Sequence, residues 1–500
     1  MATRLSALEL VQRVLDPGTW REWDLPLVAH VDLTDAYAAD LVAAEGRSGI
    51  DESVIVGEGL LDGRRVAIAV QDFNFLGGSM GVAATERLVQ GIERATREGL
   101  PMLAAPNSGG TRMQEGTVAF VQMIKIAAAV SAHRAAGLPF LVYLRNPTMG
   151  GVMASFGSLG HITVAEPGAL VGFLGPRVYE ALTGRTFPPD VQTSENLYRH
   201  GIVDGVVGVD ELRDVAARGL RVLGGVDAAR ALPIPEEPVE GPAGVDVPAW
   251  DSVLRTRRAE RPGVRALLRF GATDVLPLNG SGQGDRDPQV FLALARFGSA
   301  PCLVIGQDRH GHAVQPIGPA GFRAARRGME LAEELGLPVV TVIDTAGAAL
   351  SQSAEESALA GEIARTLAQL VTLSAPTVSL ILGMGTGGGA LALLPADRVL
   401  CAQHGWLSPL PPEGASAILY RTTERASEMA EQQGVRSAEL LKNGIVDIVI
   451  PEPVDAADEP EAFCSAVGRR LEFELLRLLA REPQPRREER LLRYRGLGLS

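Results

Sequence analysis

Lysine is almost missing from this chain. Its 500 residues contain only Lys125 and Lys442, so nearly every cation is an arginine. A Walker A phosphate loop needs Gly-Lys-Ser/Thr, and neither lysine follows a glycine. Cysteine is as scarce. Cys302, Cys401 and Cys464 lie far apart with no C-x-x-C pair, which argues against a disulfide scaffold or a Cys-rich zinc site. Aromatic residues make up 5%, so the cores must rest on Val, Leu, Ile and Ala. Positive net charge is also lacking. With 47 basic and 60 acidic residues the balance is −13, which disfavours nucleic acid as a general partner. No apolar run approaches the roughly 20 residues of a membrane span, and MATRLSALELVQRVLDPGTW lacks a signal-peptide core. The expected location is cytoplasmic, with no membrane and no nucleic acid as partner.

Glycine, by contrast, is abundant: 57 residues, well above the usual share of about 7%. A hydrophobic content of 46% and a charged content of 21% describe a globular chain. The glycines fall into a repeat of about 240 residues. Gly99-Leu100-Pro101, leading to MLAAPNSGG at Gly110, returns as Gly336-Leu337-Pro338, leading to VVTVIDTAG at Gly347. Thr148-Met149-Gly150-Gly151 returns as Thr386-Gly387-Gly388-Gly389, and Gly201-Ile202-Val203-Asp204 as Gly444-Ile445-Val446-Asp447. This period is too long for a solenoid and indicates two copies of one domain.

Each copy alternates β-type and α-type patterns, predicting an α/β fold with buried strands. Strands are expected at Val66–Val70, Met102–Ala105, Phe140–Leu144, Val339–Ile343 and Thr377–Leu382. Helical stripes are read at Leu88/Ile92/Ala95 and Val121/Ile124/Ala128, and a helix at Ala358–Leu373. The expected organisation is an N-terminal domain over 1–231 and a Pro-rich linker over 232–262. A C-terminal domain over 263–482 and an Arg/Glu-rich tail over 483–500 follow.

Several motifs have competing readings. Gly77-Gly78-Ser79-Met80-Gly81 fits the G-x-S-x-G nucleophile elbow, but little sheet precedes it and a hydrolase gives no reason for duplication; a tight turn is the better reading. Gly383-x-Gly385-x-x-Gly388 fits a dinucleotide fingerprint, yet no acid stands about 20 residues on. His310 and His312 could ligate a metal, but no third ligand is identifiable. The paired glycine turns differ in following a strand and opening a helix pattern in both copies. Free N–H groups there can form an oxyanion hole.

The runs GEGLLDGRRVAIAVQDFNFLGGSMG, NSGGTRMQEG and NPTMGGVMASFGSLGHITVAEPGALVGFLGPRV resemble the carboxyltransferase β subunit of acyl-CoA carboxylases. LGLPVVTVIDTAGA, SAEESALAGEIAR, GMGTGGGALALLPADRVL, PPEGASAIL and NGIVDIVIPEP are similar to the carboxyltransferase α subunit of acetyl-CoA carboxylase. Together they cover roughly Glu52–Pro453 and resemble the fused actinobacterial type, including the propionyl-CoA carboxylase β family. The resemblance implies two tandem crotonase-like (ClpP/crotonase) β-β-α superhelix domains, with acyl-CoA on the first and biotin on the second. It implies transfer of a carboxyl group from carboxybiotin to the α-carbon of an acyl-CoA. It implies a homo-oligomer, a hexamer above all, with sites formed between subunits.

Since neither lysine matches a biotin-accepting hairpin, the biotin must arrive on a partner. The implied partners are a biotin carboxylase and a biotin carboxyl carrier protein, often joined in one α subunit. By the same resemblance the Gly150 and Gly151 amides face the thioester oxygen, and the Gly389 and Ala390 amides face the ureido oxygen of biotin. Ser108, Gly109, Gly110, Arg112, Gly175 and Arg177 fall near the acyl-CoA, and Gly347, Gly388 and Ala392 near the second site. Arg112 and Arg177 have helix-anchoring as an alternative role. No metal is predicted, because the four-cysteine ribbon of split β subunits is missing before Cys302. An aspartate usual near His161 and a proline usual at Ala346 are also replaced. The alternatives in function are a biotin-linked decarboxylase or transcarboxylase subunit, and a non-catalytic scaffold paralogue.

Overall fold

A computed structural model describes residues 5–25, 34–239, 246–309 and 316–499. The chain forms two compact units, Met1–Leu220 and Arg221–Ser500. The repeat is visible in both. The first unit opens its sheet with a hairpin, Val54–Leu61 against Arg64–Gln71, turning at Asp62-Gly63. Met102–Ala105, Phe140–Leu144, Ile162–Ala165 and Gly205–Val206 then add in parallel. In the second unit the hairpin is Val290–Phe297 against Ala300–Gln307. Val339–Thr345, Thr377–Thr386, Arg398–Ala402 and Ile448–Ile450 add in parallel. Parallel strands covered on both faces need continuous apolar sequence, and these strands are almost wholly buried.

Helix Val82–Arg97 follows the first hairpin and buries Leu88, Ile92 and Ala95, as its stripe predicts. The other stripe is a correction. Val121 and Ile124 are exposed, and helix Met123–Ala135 turns Ile126, Ala129, Val130 and His133 inward instead. Its sequence MIKIAAAVSAHRA is apolar nearly all round, so spacing alone does not fix the phase. Among the described residues no single helix is long and apolar enough to cross a membrane; Met113–Val121 and Met123–Ala135 pass only as a pair bent by 41°.

The domain plan also needs correction. Residues 221–231 join the second unit, where Arg221 meets Asp274 at 2.9 Å. The expected linker holds a helix, Ala249–Thr256, that is part of the same unit. Thr256 Oγ1 accepts the Trp406 indole N–H at 2.9 Å, and Arg261 forks onto Glu452 with both bonds at 2.8 Å. The expected tail is a helix, Pro483–Gly496. Its Arg490 is 1% exposed, pairs twice with Asp397 at 2.8 Å and donates to the carbonyls of Leu370, Leu373 and Ala375. Those partners lie over 90 residues away, where composition cannot show them.

Two tempting motifs dissolve. Gly383 and Gly385 lie inside the strand Thr377–Thr386, not in a phosphate-binding turn. Ser79 belongs to a turn whose carbonyl accepts from Ser53 and Arg112. His310 and His312 lie outside the described residues.

Candidate active site

In each unit two loops leave adjacent parallel strands and meet. Ser108 and Thr345 make the same local turn: each hydroxyl oxygen accepts from the N–H two residues on, Gly110 or Gly347, at 3.0 Å. Gly110 and Gly347 then take φ of 124° and 125°, a conformation that is essentially glycine's alone. Duplication has therefore preserved a strained backbone and not merely a composition. Gly109 is exposed, and its N–H donates to the Gly77 carbonyl at 2.9 Å.

The glycine turns press against these loops. A Cβ on Gly150 would stand 3.4 Å from Gly110 Cα, and one on Gly151 would stand 3.2 Å from Thr111 Oγ1. In the second unit a Cβ on Gly389 would stand 3.3 Å from the nitrogen of Ala348 and 3.3 Å from the Gly347 carbonyl carbon. Among the described residues no hydrogen bond engages the N–H groups of Thr111, Gly151 or Ala348. These half-buried N–H groups therefore stand open to solvent or to an outside oxygen.

This geometry corrects the expected donor pairs. The Gly150 N–H is already occupied by the carbonyls of Gly172 at 3.1 Å and Phe173 at 3.0 Å. In the helix Gly387–Leu391, capped at Thr386, Ala390 is the first residue whose N–H has an intrahelical acceptor. Gly388 and Gly389 precede it and have none. The geometry brings together Thr111 with Gly151, and Ala348 with Gly389. Sequence reasoning placed Thr111 only within the Ser108–Arg112 loop and missed Ala348, although each directly follows a matched block, S-G-G or T-A-G.

Arg112 is not an open anchor for a phosphate. It is 1% exposed, forks onto Glu52 and donates to the Ser79 carbonyl at 2.8 Å. Burial opposes its charge, but Glu52 and Tyr37 outweigh that and raise its pKa. Glu115, beside it, accepts from Tyr37 Oη at 2.5 Å and from the Val82 N–H at 2.6 Å, capping helix Val82–Arg97. The network is structural, the alternative raised for Arg112. Gly175 caps helix Pro176–Thr183 in open space. Arg177 lies in that helix, and its side chain is outside the described parts. Ala392 is fully buried with Ile317, Phe322, Ala354 and Leu359, a cluster that packs against Ala348. No three His, Cys, Asp or Glu side chains among the described residues converge on a metal position.

The carboxyl transferase domain matches residues 4–489. Over 499 residues the chain is 58% identical to the probable biotin-dependent acyl-coenzyme A carboxylase beta3 subunit of Mycobacterium tuberculosis, covering 99% of each. It is 38% identical over 498 residues to the acetyl-coenzyme A carboxylase carboxyl transferase subunits beta/alpha of Salinispora arenicola, covering 95% of this chain and 88% of that one. Among solved structures, transcarboxylase 12S with hydrolysed methylmalonyl-coenzyme A aligns with a TM-score of 0.72 at 22% identity, covering 92% and 89%. That likeness shows the fold, two tandem crotonase-like domains. The chain belongs to the carboxyl transferase family. Within it, the protein is a carboxyltransferase of the biotin-dependent acyl-CoA carboxylase type.

Proposed function

We propose that this chain is the subunit that moves a carboxyl group from carboxybiotin, held on a separate carrier, to the α-carbon of an acyl-CoA in the cytoplasm. The observation that supports this most is the same convergence of free backbone N–H groups in both repeats. Carboxybiotin, when bound, supplies CO₂ and a ureido anion basic enough to take the α-proton. The chain's own task is electrostatic. Thr111 and Gly151 receive the thioester oxygen as it becomes an enolate, and Ala348 and Gly389 receive the ureido oxygen as it gains charge. Both charges develop on oxygen, so fixed amide donors serve both, and losing one donor typically costs about 10²–10³ in rate.

The two holes complete one site when the first unit of one copy faces the second unit of another. A homo-oligomer, a hexamer by family likeness, follows from that arrangement. Reconstitution with a biotin carboxylase and a biotinylated carrier tests the reading. Short acyl-CoA substrates should be carboxylated. Gly151→Pro, which removes one donor, should lose most turnover while remaining folded. Wild-type turnover in a folded Gly151→Pro protein, or an active species at the monomer mass of 52.7 kDa, would refute the assignment. Failure on every acyl-CoA with carrier binding intact would favour the scaffold alternative.

A further inference from the structure

The strand Ala300–Gln307 ends on a side chain that no expectation used. Gln307 is 1% exposed. Its Nε2 donates to the Gly389 carbonyl at 2.7 Å, and its Oε1 accepts from the Asp344 N–H at 3.2 Å. The two partners fix the amide's orientation, since the flipped form would set oxygen against carbonyl and NH₂ against N–H. We propose that Gln307 is a positioning residue for carboxyl transfer, clamping the Gly389 turn from behind so that its front stays aimed at the ureido oxygen; this rests on the function proposed above.

The argument is one of peptide geometry. In a trans peptide the C=O and N–H point opposite ways. Holding the Gly389 carbonyl fixes the Gly389–Ala390 plane, including the Ala390 N–H on its opposite side, and with it the Gly389 Cα, to which the nitrogen bearing the Gly389 N–H is bonded. The same amide reaches the neighbouring strand through Asp344. That carboxylate accepts from the Met384 N–H at 3.0 Å and from Arg309 Nε at 3.2 Å. It sits so close to Gly383 that a Cβ there would be 2.5 Å from Oδ1. One buried side chain thus joins the ends of three strands, two of which give rise to the loops carrying Ala348 and Gly389. Hydrogen bonding in series also polarises the peptide.

The first unit lacks this clamp. Gln71 ends the corresponding strand and is also 1% exposed. Yet it donates to the Gly78 carbonyl at 3.0 Å, away from the glycine turn. There the Gly151 carbonyl accepts from Ser155 Oγ, four residues on, at 2.6 Å. The long-range hold on the carbonyl of the turn therefore belongs to the second repeat, while in the first the Gly150 N–H is held from afar.

The test uses the full chain with biotin carboxylase, a biotinylated carrier and a short acyl-CoA. Gln307→Met keeps the length and removes the donor. Its kcat should fall about 10- to 100-fold, the scale of a displaced catalytic group, with KM for acyl-CoA unchanged. Gln307→Glu places a carboxylate against the Gly389 carbonyl. Its turnover relative to wild type should be low at alkaline pH and rise as pH falls, when the protonated acid can donate as the amide does. A folded Gln307→Met protein with wild-type kcat overturns the proposal. So does an effect confined to the acyl-CoA KM, or a pH-independent ratio for Gln307→Glu. If Gln307→Met yields no folded protein, the Gln307→Glu profile decides. Gly389→Pro separates the two levels: if it retains full turnover, the function assigned to the turn is wrong. If it abolishes transfer while Gln307→Met does not, only the role of Gln307 fails.

Discussion

The space where Gly389 would carry a side chain is closed by the backbone nitrogen of Ala348, 3.3 Å away. Alanine at 389 should therefore push the T-A-G loop by a few tenths of an ångström. Ala favours a helix over Gly by about 1 kcal/mol, which offsets much of that crowding. Gly389→Ala is expected to keep a near-wild-type Tm while kcat falls by about 10²-fold, the cost of a small misplacement at a reacting centre. Melting and steady-state kinetics on one preparation check this, and parallel losses in both would sink it.

Arg112 separates structure from binding. Removing it leaves Glu52 as a buried charge without its fork, a change that typically costs about 3–5 kcal/mol. Arg112→Ala should lower Tm strongly. The protein that remains folded should keep its KM for acyl-CoA. A raised KM with unchanged Tm would restore the substrate-anchor reading.

His133 makes stability depend on pH. It is fully buried, meets Phe140 edge-on at 5.9 Å and contacts Thr96 Oγ1 at 2.9 Å. Burial is the main force holding its pKa down, to about 4; a bond to the Pro139 carbonyl opposes this and His161 adds to it. The unfolded chain takes up this proton near pH 6.5 and the folded chain does not. Its contribution is therefore complete above pH 6.5 and is lost as pH falls toward 4, on the order of 3 kcal/mol in all. Melts at pH 7 and 5.5 should show a larger drop for wild type than for His133→Gln. Equal drops would contradict it.

Arg490 should tolerate no truncation. Arg490→Ala leaves Asp397 with one weaker cationic partner, Arg486 at 3.4 Å, beside its bonds from Thr377, and takes a donor from three carbonyls. A loss of about 3 kcal/mol or more is expected, read as a shift in denaturant midpoint. An unshifted midpoint would return the helix to the status of a loose end.

The paired glycine blocks and strands such as Met102–Ala105 and Phe140–Leu144 were legible because buried parallel strands are apolar without interruption and end at turn residues. The site was half legible. Its glycines stand out, but which amide is free depends on acceptors contributed from elsewhere, such as the Gly172 and Phe173 carbonyls that occupy Gly150. The Val121/Ile124/Ala128 stripe failed because the chain bends between the helices Gly116–Val121 and Met123–Ala135, and the mostly apolar second helix gives a weak phase. Arg112, left open between two roles, and the tail that carries Arg490 were hard to read for a different reason: a charged side chain looks solvated until its partner, 60 or more positions away, is known. Gln307 leaves no trace in composition at all, since its role comes from standing where a strand ends.

The seating of helix Pro483–Gly496 over Asp397 sets an order of assembly. Residues 221–482 supply the rest of the second sheet and its helices, but Asp397 lacks its paired guanidinium and the Leu373 carbonyl its donor until Arg490 arrives. During synthesis the first unit has all its strands by residue 206 and can fold while translation continues. The second must wait for residues beyond 483. In the interval, its glycine loops exist on an unfinished scaffold, and this is the stage at which a growing chain most needs shielding from its neighbours.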